Sequence, residues 1–351
     1  MHKHHLFLGT YTRSGGKGIY RVDLDAATGA LSTPVVAAET SNPSFVALSP
    51  DKRFLFAVSE TDALASAYAI NPLTLSLTPL QAPQPAGGKA PCHLVVDQTG
   101  RTLVVAHYHT GVVASLPIGP DGKLGRPGTL LQHRGSSVNR ERQDTAHAHS
   151  VTISPDNRHV IVCDLGLDKI FTYRLDPDAA TLTPAEPPFI TTEPGAGPRH
   201  AAFSRDGRHV FVINEMGGSL VCYAYDATNG SLTPTDTQST LPAGFTGENT
   251  TAEVRVHPNG EYVYGSNRGH DSLVVFRFDA AQGKLSHVET VPVGGKHPRN
   301  FALSPDGKWL VAANQNSNDL TVFRVDASTG RLTKIDSTAI VSMPVCVAFF
   351  D

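Results

Sequence analysis

Cysteine is scarce in this chain. Four residues in 351, Cys92, Cys163, Cys222 and Cys346, lie scattered at spacings that suit neither a metal nor a redox pair. They are expected as reduced core or channel thiols, not as a disulfide framework. Charge is also sparse, at 17% of residues with a net of −3, so no basic stripe for nucleic acid and no block of like charge exists. No apolar run approaches the ~18 residues of a membrane span. The segment Met1 to Gly9 passes directly toward a strand without the apolar stretch of a signal peptide. A soluble, cytoplasmic protein with no nucleic-acid or membrane partner is therefore expected.

The compact signatures of familiar chemistry are missing too. There is no Gly-x-Ser-x-Gly elbow, no cysteine pair at zinc spacing, no glycine-rich phosphate loop and no His-Glu-x-x-His. No cofactor and no metal are expected. His147 and His149, two apart, with His107 and His109 nearby in sequence, form the one arrangement that could hold a metal. An acid–base role suits these histidines better. The opening His2, His4 and His5 read as a solvated terminus.

What the chain has in abundance is repetition. Six times an apolar strand leads through a turn rich in Ser, Pro, Asp and Gly into a second apolar strand, as in Pro298-Arg299-Asn300-Phe301-Ala302-Leu303-Ser304-Pro305-Asp306-Gly307-Lys308-Trp309, and the C-terminus repeats the opening strand a seventh time. Aligned on the turn, the first strands open at Phe45, His93, Ser150, His200, Glu253, Asn300 and Cys346, in steps of 48, 57, 50, 53, 47 and 46 residues. Such a period holds four strands and exceeds that of most solenoid repeats, so it predicts an all-β, seven-bladed β-propeller with four antiparallel strands per blade. The C-terminus supplies only an opening strand, Val345 to Phe350. The N-terminus supplies what that strand lacks, in Leu6 to Tyr11, Ile19 to Asp23 and Leu31 to Ala37. Their pairing closes the ring and removes two sheet edges. Residues 1–351 are read as one domain, because each blade needs its neighbours, and a monomer is expected because a closed propeller has few free edges.

Strand direction locates the chemistry. The start of each first strand and the end of each second strand share one face of the ring, opposite the Ser-Pro-Asp-Gly hairpins. The starts carry His93, Ala148-His149, Arg199-His200, Glu253 and Arg299-Asn300. The ends carry Glu60, His107, Asp164, Asn214-Glu215, Asn267-Arg268 and Asn314-Gln315. Charge beside a packed channel needs partners, so this cluster is either a polar plug or a site, and titratable groups gathered in a cleft favour a site. Two long connections, His133 to Ala146 with Arg134, Arg140, Glu141 and Arg142, and Leu241 to Thr250, fall on the same face. They are expected to form a rim or lid.

Gly195-Ala196-Gly197-Pro198-Arg199-His200, Asn214-Glu215, His149-Ser150 with the following Ile153 to Arg158, and Pro298-Arg299 resemble the seven-bladed lactonase family. That family contains propeller-type 6-phosphogluconolactonases and carboxymuconate lactonizing enzymes. The resemblance spans essentially the whole chain. It implies His149, Arg199, Glu215 and Arg268 as catalytic residues, with His93, His200, Glu253, Arg299, Asn300 and Gln315 as substrate-binding neighbours. Between His147 and His149, the latter is favoured because it directly precedes the strand.

The implied reaction is hydrolysis of a sugar lactone such as 6-phosphogluconolactone, with a small-molecule substrate as the only partner. His149 or Glu215 would be the base, Arg199 and Arg268 the holders of an oxyanion or carboxylate, and Arg299, Arg140 or Arg142 the holders of a phosphate. A non-phosphorylated lactone hydrolase, a muconate-type cycloisomerase and a binding propeller without chemistry are the alternatives.

Overall fold

In the computed structural model, which describes residues 2–350, twenty-nine strands build seven antiparallel sheets arranged as a ring, with no helix among the described residues. Six blades are consecutive in sequence, and each begins with its innermost strand: Pro43–Leu48, Pro91–Val96, Ala148–Ile153, Pro198–Phe203, Thr250–Val256 and Pro298–Leu303. We number them 1 to 6. In blade 7 the C-terminal strand Pro344–Phe349 is innermost and pairs with Lys3–Thr10, followed by Gly18–Asp25 and Val35–Glu39. The predicted closure is present, with the third N-terminal strand starting later than expected and Leu31 making only an isolated bridge to Leu24. Blade 1 departs from four strands, since its outer edge is split between Leu77–Pro79 and the short Gln84–Pro85.

The repeated turn has a local cause. In blade 6 the Ser304 hydroxyl donates to Asp306 at 2.6 Å and accepts the Trp309 amide at 3.0 Å, while Gly307 supplies the left-handed conformation at φ 72°. Ser49, Ser154 and Ser204 repeat the hydroxyl-to-aspartate bond in blades 1, 3 and 4. Blade 2 substitutes Asp97, whose carboxylate accepts the Arg101 and Thr102 amides.

Hydrophobic packing lies between blades. Phe211, Ile213, Leu220 and Cys222 of blade 4 interlock with Val254, Val263, Val274 and Phe276 of blade 5. Each such side chain contributes about 1.5–3 kcal/mol by leaving water, and no blade can bury these faces alone. All four cysteines are free and buried, as expected. His4 departs from the expected solvated terminus: it lies in the first strand, 3% exposed, edge-on to Phe349.

Candidate active site

A register break at the start of the innermost strands shapes the centre of the ring. In blade 4 Pro198 pairs with Asn214 but His200 pairs with Ile213, so Arg199 is the extra residue of a bulge. Blades 1, 3 and 6 break in the same way at Ser44, His149 and Arg299. A bulge re-aims a side chain that regular alternation would turn away. Consequently Arg199 and His200, and likewise Arg299 and Asn300, line one enclosed pocket in the channel.

The layer at the mouth is a charge cluster centred on Glu215, 4% exposed. Its Oε2 accepts from Arg199 Nε at 2.9 Å and lies 2.8 Å from an Arg268 terminal nitrogen, while its Oε1 accepts from Arg142 at 2.5 Å. Arg199 also donates to the Ala252 carbonyl and Arg268 to that of Thr251, both at 2.6 Å. Burial pushes the Glu215 carboxyl up, but Arg268 and Arg199 overcome it and hold it well below the usual range. Glu215 is thus a fixed anion. Burial, with Arg268 and Arg299 beside it, depresses Arg199 to about 9.

His149 is buried, with its Nδ1 unpartnered, 5.3 Å ring to ring from His200 and 5.6 Å from Tyr108. Burial and the Arg199 charge hold it well below 6.5 and therefore neutral. His147 is turned aside, stacked on Tyr108 at 4.4 Å and bonded to the Tyr108 carbonyl. His107 contacts the Val112 carbonyl within its own blade, and among the described residues no three His, Cys, Asp or Glu side chains gather as a metal-holding group.

A second layer lies one residue further along the innermost strands. His200 Nδ1 contacts Glu253 at 3.2 Å, and Glu253 also binds the Asn300 side-chain amide and the Val254 amide, with Arg255 at 3.4 Å. His93 packs 4.1 Å from Phe45 and 5.0 Å from His200. The ten residues singled out in the sequence thus separate. His149, Arg199, Glu215, Arg268 and Arg299 form the mouth, His93, His200, Glu253 and Asn300 the layer beneath, and Gln315 is buried with its Oε1 unpartnered. Glu253 is engaged within this lower layer.

Tyr11, Tyr108 and His297 belong to the site and were not singled out. Tyr11 donates to Glu60 at 2.8 Å and sits 5.8 Å beneath the Arg299 guanidinium. Burial, and the depressing charges of Arg268 and Arg299, lower His297 to about 4. The position of His297 beside Pro298-Arg299 was the available signal. The first long connection does reach the site: Ser137 bonds Asp168, Gln143 bonds the Leu165 carbonyl, and Arg142 is thereby delivered to Glu215. Arg134 and Arg140 remain exposed at the rim.

Four guanidiniums, of Arg142, Arg199, Arg268 and Arg299, meet two carboxylates, Glu60 and Glu215, in this mouth. Fold and site together define a propeller enzyme whose largely buried positive excess suits an anionic or oxyanion-forming substrate. The model of the family described as "Lactonase, 7-bladed beta-propeller" matches residues 5–349, and the chain belongs to that family. It is 36% identical over 345 residues to the 6-phosphogluconolactonase of Bacillus subtilis, covering 98% of this chain and 97% of that protein. It is 31% identical to the 6-phosphogluconolactonase of Formosa agariphila, covering 85% and 86%. The structure of the Pseudomonas aeruginosa periplasmic gluconolactonase superposes with a TM-score of 0.92 at 35% identity, covering 99% of both chains.

Proposed function

We propose that this protein hydrolyses 6-phosphogluconolactone to 6-phosphogluconate. The observation that carries the reading is the uncompensated positive charge of the mouth. A sealing plug would balance its ions, because unpaired buried charge is costly. An oxyanion or phosphate completes the balance instead.

Water adds to the lactone carbonyl, the bond from that carbon to the ring oxygen breaks, and the ring oxygen leaves as a hydroxyl with a proton. Arg199 and Arg268 hold the charge that develops on the carbonyl oxygen, already oriented by Glu215. Glu215 itself is a poor base, since both its oxygens are occupied by guanidiniums. Neutral His149, with its free Nδ1, receives the proton of the attacking water and returns one to the departing oxygen. Arg142, half-exposed at the end of its connection, meets the 6-phosphate.

The deciding assay is hydrolysis of freshly generated 6-phosphogluconolactone beside gluconolactone, followed by acid release and corrected for the spontaneous reaction. Fast, phosphate-preferring turnover supports the reading and a place in the pentose phosphate route. Turnover of gluconolactone alone favours the unphosphorylated reading, which the name of the Pseudomonas relative motivates. Acceleration of neither substrate sinks both.

A further inference from the structure

Beside the Glu215 cluster, an enclosed pocket with room for a single water-sized oxygen is lined by Tyr11, Ser44, Glu60, Arg199 and Arg299. Its polar groups are poorly satisfied by the chain itself. The Ser44 hydroxyl is buried without a partner. The Glu60 carboxylate accepts the Tyr11 hydroxyl on Oε2, leaving Oε1 without a hydrogen-bond partner among the described residues. Arg299, for all its five donors, makes no hydrogen bond or ion pair among the described residues, its contact being with the Tyr11 ring. The remaining polar walls, His200 and Asn300, are committed to Glu253.

An acceptor and donors together around space for one oxygen match a hydroxyl, which both donates and accepts. They do not match a carboxylate, which cannot donate to Glu60 and would be repelled by it. Arg199 belongs both to this pocket and to the Glu215 cluster. The group read here therefore lies next to the carbonyl oxygen, which in a sugar lactone is the hydroxyl on the carbon adjoining the carbonyl.

We infer that Glu60, Arg299 and Ser44 form a one-hydroxyl subsite that reads the 2-hydroxyl of an aldonolactone, making Glu60 a specificity-determining residue. The inference rests on the lactonase reading and deepens it. A site built to bond a hydroxyl leaves its own buried groups unpaired when that hydroxyl is missing, and it rejects such analogues strongly.

The test compares 6-phosphogluconolactone with its 2-deoxy counterpart, each made by oxidising the corresponding sugar phosphate, in the wild-type protein and in Glu60→Gln and Glu60→Ala. In the wild type, kcat/KM is expected to fall at least ~100-fold on loss of the 2-hydroxyl. In the Glu60 variants the two substrates converge to within about tenfold, because the parent is slowed while the 2-deoxy lactone is little affected. A structural defect would slow both substrates alike and leave their ratio unchanged, overturning the assignment. Ser44→Ala, which removes a donor of the subsite and leaves Glu60 in place, serves where the Glu60 variants do not fold, and an unaltered ratio there is equally adverse. Should the wild-type protein hydrolyse both lactones equally, the subsite is wrong while the lactonase reading stands. Should it hydrolyse neither, the lactonase reading itself fails.

Discussion

Glu215 holds three guanidiniums at hydrogen-bond or ion-pair distance, two of them on buried arginines. Its removal strands like charges in a low-dielectric setting, so Glu215→Ala is expected to cost about 3–5 kcal/mol of stability as well as activity. The three-way pairing makes this carboxylate a structural anchor, and a thermal melt within a few degrees of wild type would count against it. The same burial governs pH. His93, His149 and His200 all lie well below their ordinary 6.5, with burial the leading cause. The unfolded chain then binds more protons than the native one below that pH, so stability is intact above about 6.5 and falls as the solution is acidified. Melts from pH 8 to pH 5 should show this slope, reduced in His149→Asn. If neutral His149 is the proton acceptor, the acid limb of kcat/KM also lies below 6.5. His149 was legible in sequence as a residue at the opening of an innermost strand, although it lies inside that strand as its bulge rather than before it. The role of Glu215 was not, because sequence order says nothing of how many cations converge on one carboxylate.

The inner strands and the turns between them were legible, since paired apolar runs punctuated by Ser, Pro, Asp and Gly recur six times and a seventh opening strand ends the chain. The bulge was not. It requires knowing that Pro198 pairs with Asn214 while His200 pairs with Ile213, and only that register sends adjacent residues into one pocket and divides the candidate site into two layers. The first long connection presents a similar contrast. Its length marked it as a rim, but Arg134, Arg140 and Arg142 were equivalent until Asn139 and Gln143 fixed the local turn, with the Gln143 amide bonded to the Asn139 carbonyl at 2.7 Å. Only Arg142 then reaches Glu215. With a side chain 38% exposed, it contributes little to stability, on the order of 1 kcal/mol or less. Arg142→Ala should therefore leave the melting temperature nearly unchanged while lowering kcat/KM for the phosphorylated lactone about 10- to 100-fold, with Arg140→Ala close to wild type. Equal effects of the two substitutions in steady-state assays would argue that the connection acts only as a general electrostatic rim.

At the scale of the whole ring, the strand Pro344–Phe349 carries more than its length suggests. It pairs with Lys3–Thr10 and packs against the innermost strands of blades 1 and 6, and it places Val345 on the one-hydroxyl pocket. Its removal exposes a sheet edge and uncovers Leu6, Leu8 and Val22, which together with Val347 pack against blade 6. It also leaves Met343, whose carbonyl accepts the Tyr11 amide, at a free chain end, which loosens the tyrosine whose hydroxyl holds Glu60. Truncation after Met343 should consequently lose cooperative unfolding and lactone turnover together. An unfastened solenoid would behave otherwise, fraying from one end with distant blades unaffected. Calorimetry and hydrogen exchange on the truncated chain distinguish the two. If blades 3 to 5 kept full protection and the Arg199–Glu215 cluster kept its activity, the ring would not be the unit of stability, and closure would serve only to cover an edge. Loss of protection in every blade would show that this strand and the N-terminal strands act as the clasp on which the central site depends.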